Sequence, residues 1–525
     1  MTPFRLLAAY LASLAASAAA QPGSPPAAAP RFDVLEFAVE GNTVLPVTRI
    51  EAAVYPFLGE GRTVSDVEAA REALERAYRD AGFATVAVDL PEQRVDEAVV
   101  VLKVVEGRIG QVRVVGARYY DQGRILAGVP ALAEGQVPYL PDAQEQLALL
   151  NRTETRRVQP VLRPGRYPGT TDVDLKVDDR LPLSGALELN NNRTPNTTDL
   201  RLVGSIRYDN LFQRQHSVSA LYQMSPQDTS EVEVWSLAYT IPAHDWRWFA
   251  TLYGLKSDSN VATGVSGTGA IGRGTIVGGR FTWVLPERGA LSHSLTVGAD
   301  YKDLDDDIVQ PGLPPIESPI QYAPLSVTYA ATRDDPSGRW QFSTGFALGI
   351  RGLATDEIQF ENKRFKAQSN FLIWRFDASR TQTLPAKLGL FARVDGQLSS
   401  QPLVSAEQYA AGGIRNVRGY LEATALGDNA VHGTIELRSP SFASTFGERV
   451  DDLRALAFVD GAYLRVQDAL PQQTDSYQLV SAGVGLRLRV WRTLAVTLDW
   501  GYPFRDAPFT SSGQSRVQFI TAAEF

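Results

Sequence analysis

No cysteine occurs among the 525 residues, which excludes disulfides, thiolate nucleophiles and Cys-type zinc sites together and suits an oxidising compartment. Histidine is nearly as scarce: His216, His244, His293 and His432 stand too far apart for a HExxH site. GxxxxGK and GxSxG are missing as well, so no enzyme, no metal and no cofactor is expected. The formal net charge of -8 leaves no basic excess to neutralise phosphates, and a nucleic-acid partner is excluded. After Ala20 no apolar run reaches the roughly 18 residues that a spanning helix needs. If the chain crosses a membrane it must do so as a closed barrel, because only helices and closed sheets satisfy every backbone group in lipid.

What is there begins with an export signal. Arg5 precedes the apolar stretch Leu6 to Leu14, and Ala18-Ala19-Ala20 supplies the small-residue cleavage site, so residues 1–20 are expected to be removed. Residues 21–31 follow as a Pro-rich linker.

Residues 32–108 read as a small α+β domain of order β-α-α-β-β. Phe37 to Gly41 alternates like a strand, and a weaker helix spans Ile50 to Phe57. Ser65 and Glu68 are expected to form a capping box ahead of Val67, Ala70, Leu74, Ala77, Tyr78 and Ala81 at helical spacing, with Gly82 closing that helix. Strands are expected over Thr85 to Leu90 and Ala98 to Val105. The order recurs in residues 109–182, where Val112 to Gly116 repeats the opening and Pro141 starts a helix carrying Ala143, Leu147 and Leu150.

From about residue 183 to 525 helical patterns vanish, and short alternating segments are cut by polar turns. Val480, Ala482, Val484, Leu486, Leu488 and Val490 share one apolar face, opposite Ser481, Gly483, Gly485, Arg487 and Arg489. A soluble sandwich also alternates. Short turns such as Trp491-Arg492-Thr493 alternate, however, with long loops at 256–272, 303–320 and 399–429, and aromatics such as Trp246, Trp248, Trp340, Trp374 and Tyr502 gather near segment ends. Sixteen segments are counted, starting near 183, 200, 216, 230, 245, 274, 291, 321, 338, 364, 387, 430, 453, 478, 494 and 515. The expected fold is therefore two small α+β domains followed by a 16-stranded antiparallel transmembrane β-barrel.

Two letter patterns carry no chemistry. Gly267 to Gly272 spells GxGxxG without the strand and helix that nucleotide binding requires. Asp303, Asp305 and Asp307 have calcium-loop spacing, but Ile308 stands where that loop needs glycine.

One segment is more specific: Gly412-Gly413-Ile414-Arg415-Asn416-Val417-Arg418-Gly419-Tyr420, followed by Gly427-Asp428-Asn429. It resembles the VRGY loop of the two-partner secretion transporters, the TpsB or hemolysin-activator type of barrel with polypeptide-transport-associated (POTRA) domains. Gly41-Asn42-Thr43 resembles the first POTRA domain of that family. Leu150-Asn151-Arg152, Pro164-Gly165 and Thr171-Asp172-Val173 resemble the second, and Tyr208-Asp209-Asn210-Leu211 the early barrel.

The resemblance implies an outer-membrane pore with periplasmic POTRA domains, whose loop 399–429 folds inward. Arg418 would be held by Asp460 on the thirteenth strand, within Phe458-Val459-Asp460-Gly461. With Ala457, Val459 and Gly461 facing lipid, strand parity turns Asp460 to the lumen, and a guanidinium can hold a carboxylate by two charge-assisted hydrogen bonds. The implied partner is an unfolded secreted exoprotein, recognised by strand addition at an edge near Val158, Pro160 and Leu162. Phe525 resembles the terminal signal read by the barrel assembly machinery. Outer-membrane lipid and lipopolysaccharide surround a protein expected to be a monomer. Family members often carry a plug helix before the first POTRA domain, but about ten residues reach only about 35 Å and cannot supply plug and tether; no plug is expected. Two other functions remain open: a barrel-insertion factor of the same superfamily, and a passive diffusion porin.

Overall fold

A computed structural model describes residues 30–95, 97–195, 197–258, 273–305, 307–308, 316–353 and 356–525. The expected signal peptide, nearly all of the linker on which the expectation of no plug rests, and Gly267 to Gly272 lie outside the described residues. The chain divides into an N-terminal unit ending at Asp179 and a second unit, Arg180–Phe525, that also takes Arg118–Asp121.

In the N-terminal unit, Glu36–Glu40 runs parallel to Val99–Glu106, which pairs antiparallel with Val86–Asp89. Helices Val47–Val54 and Val64–Asp80 turn Ile50, Val54, Leu74 and Tyr78 onto Val86, Leu102 and Val104 of this sheet. Two short strands absent from the sequence reading, Phe32–Val34 and Gly59–Arg62, pair with each other. The capping box is also displaced from where the sequence put it. Thr63, extended at φ -112°, caps the helix and exchanges bonds with Asp66. Ser65 cannot cap because it already lies inside the first turn, and Glu68 instead meets Arg71 at 2.7 Å.

A second α+β arrangement follows. Arg108–Val115 is parallel to Thr170–Asp179, which pairs antiparallel with Arg156–Pro164, and helices Gln122–Ala127 and Leu140–Leu150 lie between them in the chain. One contact shows that the repeat is structural. Gly41 and Gly116 have φ of +85° and +97°, and a Cβ on either would lie 2.4 Å from a carbonyl oxygen, of Val104 and Val177 respectively. Only glycine fits both the left-handed backbone and the close crossing.

The second unit is a closed antiparallel barrel of 16 strands. Its first eight are β1 (Leu183–Asn190), β2 (Arg201–Leu211), β3 (His216–Met224), β4 (Glu233–Pro242), β5 (Trp248–Ser257), β6 (Gly274–Arg288), β7 (Leu291–Leu304) and β8 (Leu325–Asp335). The rest are β9 (Gly338–Leu348), β10 (Leu372–Thr383), β11 (Gly389–Ser399), β12 (Asn429–Arg438), β13 (Val450–Arg465), β14 (Ser476–Val490), β15 (Leu494–Pro503) and β16 (Arg516–Glu524). Ile320–Tyr322 lengthens the β8 side of the wall by pairing with β7. Closure runs from Ile520↔Asn190 to Glu524↔Ala186, joining β16 to β1.

Alternation sorts the two faces. Trp235, Leu237, Leu252, Val277, Ile435, Val459, Val484 and Leu498 are exposed on the outside, while Asp460, Asp499 and Gln518 are buried within. Helical structure does recur here, against expectation: Glu357–Lys363, capped by the Asp356 side chain, buries Phe360. Consequently β10 starts at Leu372 rather than near 364, and a loop absent from the sequence reading precedes it.

Candidate functional site

The loop between β11 and β12 is built to enter the lumen. Tyr409–Ala411 pairs with Ala425–Gly427, so its two arms form a small hairpin. Gly412 and Gly413, at φ +110° and +100°, turn the chain at its end. Beyond them Val417, Arg418, Gly419 and Tyr420 are buried, and a buried run of this polarity is stable only if its groups find partners.

Arg418 finds several. Its Nε and one terminal nitrogen donate to the two carboxylate oxygens of Asp460, each at 2.7 Å, and its backbone amide adds a third bond at 3.1 Å. The guanidinium also donates to Glu436 at 2.6 Å and to the Thr434 hydroxyl at 3.0 Å, and it lies 3.5 Å from the Phe458 ring centroid. Asp460 is 0% exposed, so this carboxylate depends on its partners. The surrounding charges balance: Arg438 pairs with Glu436, and Arg487 holds Asp499 at 2.6 Å and 2.9 Å. Three guanidiniums thus face three carboxylates.

The neighbouring motif residues reach the following strands. Gly419 donates to the Gln518 side chain on β16 at 2.8 Å and packs on Gly501 of β15, where a Cβ would lie 2.6 Å from the Gly419 nitrogen. The Tyr420 hydroxyl sits 2.8 Å from the Arg505 carbonyl and 3.1 Å from that of Val480, splicing β14 to the segment after β15. Val417 packs with Ala411, Tyr420, Ala462 and Leu464. Gly461 lies opposite Gly433 in the β12 register, on the outward parity of its neighbour Val459.

Further anchors were missed by the sequence reading. Glu407 accepts from Lys302 at 2.5 Å, Tyr322 at 3.0 Å and Arg375 at 3.1 Å. Asp428 takes a bidentate pair from Arg364 at 2.9 Å and 2.6 Å, with the amides of Leu403 and Gln467. His432 stands between Asp395 at 2.8 Å and the Asn416 carbonyl of the loop tip at 3.2 Å. The alternation of β12 carries a signal for His432 and for the Arg418 partners: with Val431, Ile435 and Leu437 outward, His432, Thr434 and Glu436 must point inward.

Val158, Pro160 and Leu162 lie on a strand at the edge of its sheet, but that edge is only partly free. The Asn151 amide donates to the Val158 carbonyl at 2.9 Å and accepts from its N–H at 2.6 Å, taking both outward groups of that residue. By ladder alternation the next outward residues are Pro160, which has no N–H, and Leu162, which is exposed. Phe525 exchanges two backbone bonds of 3.0 Å with Gly185 and lays its ring on that glycine.

A closed barrel of polar interior, filled by an anchored loop and preceded by α+β domains, defines an outer-membrane transporter for polypeptides. Residues 169–488 match the family model described as "Haemolysin secretion/activation protein ShlB/FhaC/HecB", and residues 32–107 match "POTRA domain, ShlB-type". The chain belongs to that family of two-partner secretion transporters of the outer membrane, with the POTRA domain on the periplasmic side. It is 25% identical over 470 residues to the outer membrane transporter CdiB of Escherichia coli O6:K15:H31, covering 87% of this chain and 76% of the relative. It is 23% identical over 487 residues to the CdiB of Dickeya dadantii, covering 90% and 84%. The solved structure of CdiB from Escherichia coli has the same fold, with a TM-score of 0.64 and 22% identity over 97% of this chain and 93% of that one.

Proposed function

We propose that this protein secretes one large exoprotein, which arrives unfolded in the periplasm, and that it does so without ATP. The observation that carries the proposal is the buried seat of Arg418. A loop fixed inside a lumen by a matched set of charges divides the pore into a filled part and a remaining route, and free diffusion gains nothing from such a device. Absence of a nucleotide motif from the sequence supports energy supply by folding of the cargo at the cell surface.

Recognition is assigned to strand addition on the edge of the second α+β domain, read here as a second POTRA domain. Because Asn151 and Pro160 occupy or remove the outward donors before it, the available stretch starts at Leu162 rather than at Val158. Phe525 would serve the barrel assembly machinery during biogenesis, and the mature pore would act as a monomer amid lipid and lipopolysaccharide.

The test is deletion of this chain in its host, with protein in the medium and periplasm compared. One large species should leave the medium and accumulate in the periplasm. A general loss of other outer-membrane barrels would instead favour the insertion-factor reading, and free passage of small solutes in liposome swelling would favour a porin.

A further inference from the structure

The anchors of three successive motif residues land on one side of the barrel: Arg418 on β12 and β13, Gly419 on β15 and β16, Tyr420 on β14 and the segment beyond β15. Against the other side, β6 to β11, lies a cavity of about 620 Å³. Its lining mixes polar and apolar side chains, and its charged groups are held in ion pairs. Arg280 holds Asp300 at 2.6 Å and 2.8 Å, Arg393 holds Asp377 at 2.6 Å, and Ser343 and Ser379 stand between them. Charges already paired and small hydroxyls offer hydrogen bonds to any peptide backbone while preferring no one side chain. An extended chain of mixed sequence needs such a surface.

Above this cavity the charged groups give way to an apolar layer. Lumen-facing positions of a watery pore are ordinarily polar, yet at the outer ends of β4, β5 and β6 the inward residues are Val234, Leu255 and Ile276, all buried. They join one apolar cluster with Tyr322, Phe360 from the helix Glu357–Lys363, Phe371, Leu403 and Val404. Glu407, with Lys302 and Arg375, marks the boundary between the cavity and this apolar layer.

The helix-bearing segment is fastened at several points, among them Lys363 on the Ser318 carbonyl at 2.8 Å and Gln401 on the Gln368 carbonyl at 2.7 Å. Arg364 is the main one, since its guanidinium also donates to the carbonyls of Leu403 at 2.7 Å and Gln467 at 3.1 Å, gathering three loops at Asp428. Gln359 accepts from the Gln321 amide at 3.0 Å, and Lys366 meets Asp468 at 2.8 Å.

We propose that the exported polypeptide passes along the β6 to β11 side of the lumen and leaves by lifting an apolar lid, the segment around Glu357–Lys363, whose latch is the Arg364–Asp428 pair. The assignment rests on the secretion reading and adds to it a route and a gate. Pairing across the latch is bidentate and partly buried, so its loss leaves Asp428 facing only the amides and Gln408. Each opening would expose Phe360 and Tyr322 to water, which returns the lid once the chain has passed.

The native sequence has no cysteine, so introduced thiols report cleanly. Full-length protein carrying Gln321→Cys and Gln359→Cys is bridged with a short bis-methanethiosulfonate, which leaves a reducible disulfide at each end, and studied in planar bilayers in potassium chloride. Openings should disappear on bridging and return on reduction; persistence of openings in the bridged protein overturns the lid. Arg364→Ala, which needs no bridge, should raise open probability at least several-fold with Arg364→Lys intermediate, and an unchanged value also overturns it. For the route, a cationic methanethiosulfonate should block current at least fivefold faster at Ser343→Cys and Ser379→Cys than at Thr497→Cys on β15. The reverse order overturns the route. Release of exoprotein into the medium is scored separately: if these currents behave as expected while deletion of the chain changes no secreted protein, the secretion reading fails and the gate geometry stands.

Discussion

Replacing Arg418 with alanine removes the guanidinium bonds that fix the loop tip to β12 and β13, leaving there the Arg418 amide on Asp460 and His432 on the Asn416 carbonyl. Two carboxylates then lose their partner: Asp460, which is 0% exposed, and Glu436, which keeps Arg438. Breaking one side of a buried ion pair costs about 3–5 kcal/mol, because the remaining charge stays desolvated. At about 1.4 kcal/mol per factor of ten, the ratio of seated to unseated loop should fall by about two to three and a half orders of magnitude. The Tyr420 and Gly419 contacts persist and keep the fall toward the lower figure. Amide hydrogen exchange over 409–427, measured in nanodiscs, should rise accordingly, while the strands of β12 and β13 stay protected. Secreted exoprotein should drop at least tenfold, with the barrel still heat-modifiable on gels. Arg418→Lys should recover part of the loss, since an ammonium keeps the charge but not the two-pronged geometry. Unchanged exchange over the loop, or export at the native level, would falsify the claim that this seat organises the pore.

Asp460→Ala should reproduce the Arg418→Ala phenotype, and the double variant should secrete no less than either single one if the pair acts as a unit; an additive loss speaks against coupling. Gly501→Val should unseat the loop without touching a charge, because a side chain there meets the Gly419 backbone, and exchange over 409–427 would report it. Asn151→Ala frees the outward donor and acceptor of Val158, so exoprotein should bind the N-terminal unit more tightly, by a few-fold in surface plasmon resonance; weaker binding would argue against strand addition at this edge. Burial pushes the Glu106 carboxyl up, but bonds from the Thr43 hydroxyl and amide and the Val44 amide outweigh it and hold it below the usual range. A carboxyl lowered by folding stabilises above its unfolded value and loses that contribution as pH falls through the folded one. The acid unfolding of this domain should therefore lose part of its pH dependence in Glu106→Gln, at a cost of about 1 kcal/mol near neutrality, and an identical acid limb in both proteins would refute the assignment.

The sequence was most informative where local pattern and structure share one period. Alternation in β14 and β15 made the lipid and lumen faces legible, and the parity that turned Asp460 inward brought it to Arg418. The same parity placed Thr434 and Glu436 inward, but which loop atom they would meet depends on strands far apart in the chain. The helix Glu357–Lys363 escaped because two turns anchored by a single buried residue, Phe360, leave no periodic signal. Val234, Leu255 and Ile276 broke the polar rule for lumen positions for a tertiary reason, namely the lid packed on them. At the edge strand, Pro160 could be read directly, whereas Asn151 reaching across to Val158 could not.

The electrical balance around Arg418 has a consequence for whatever flows through the open channel. While the loop is docked its three positive and three negative groups cancel, but undocking withdraws one positive group and leaves a carboxylate excess facing water at mid-wall. Such a pore discriminates: potassium should outrun chloride, and basic stretches of a passing cargo should pause there, trading places with the arginine that normally fills the vacancy.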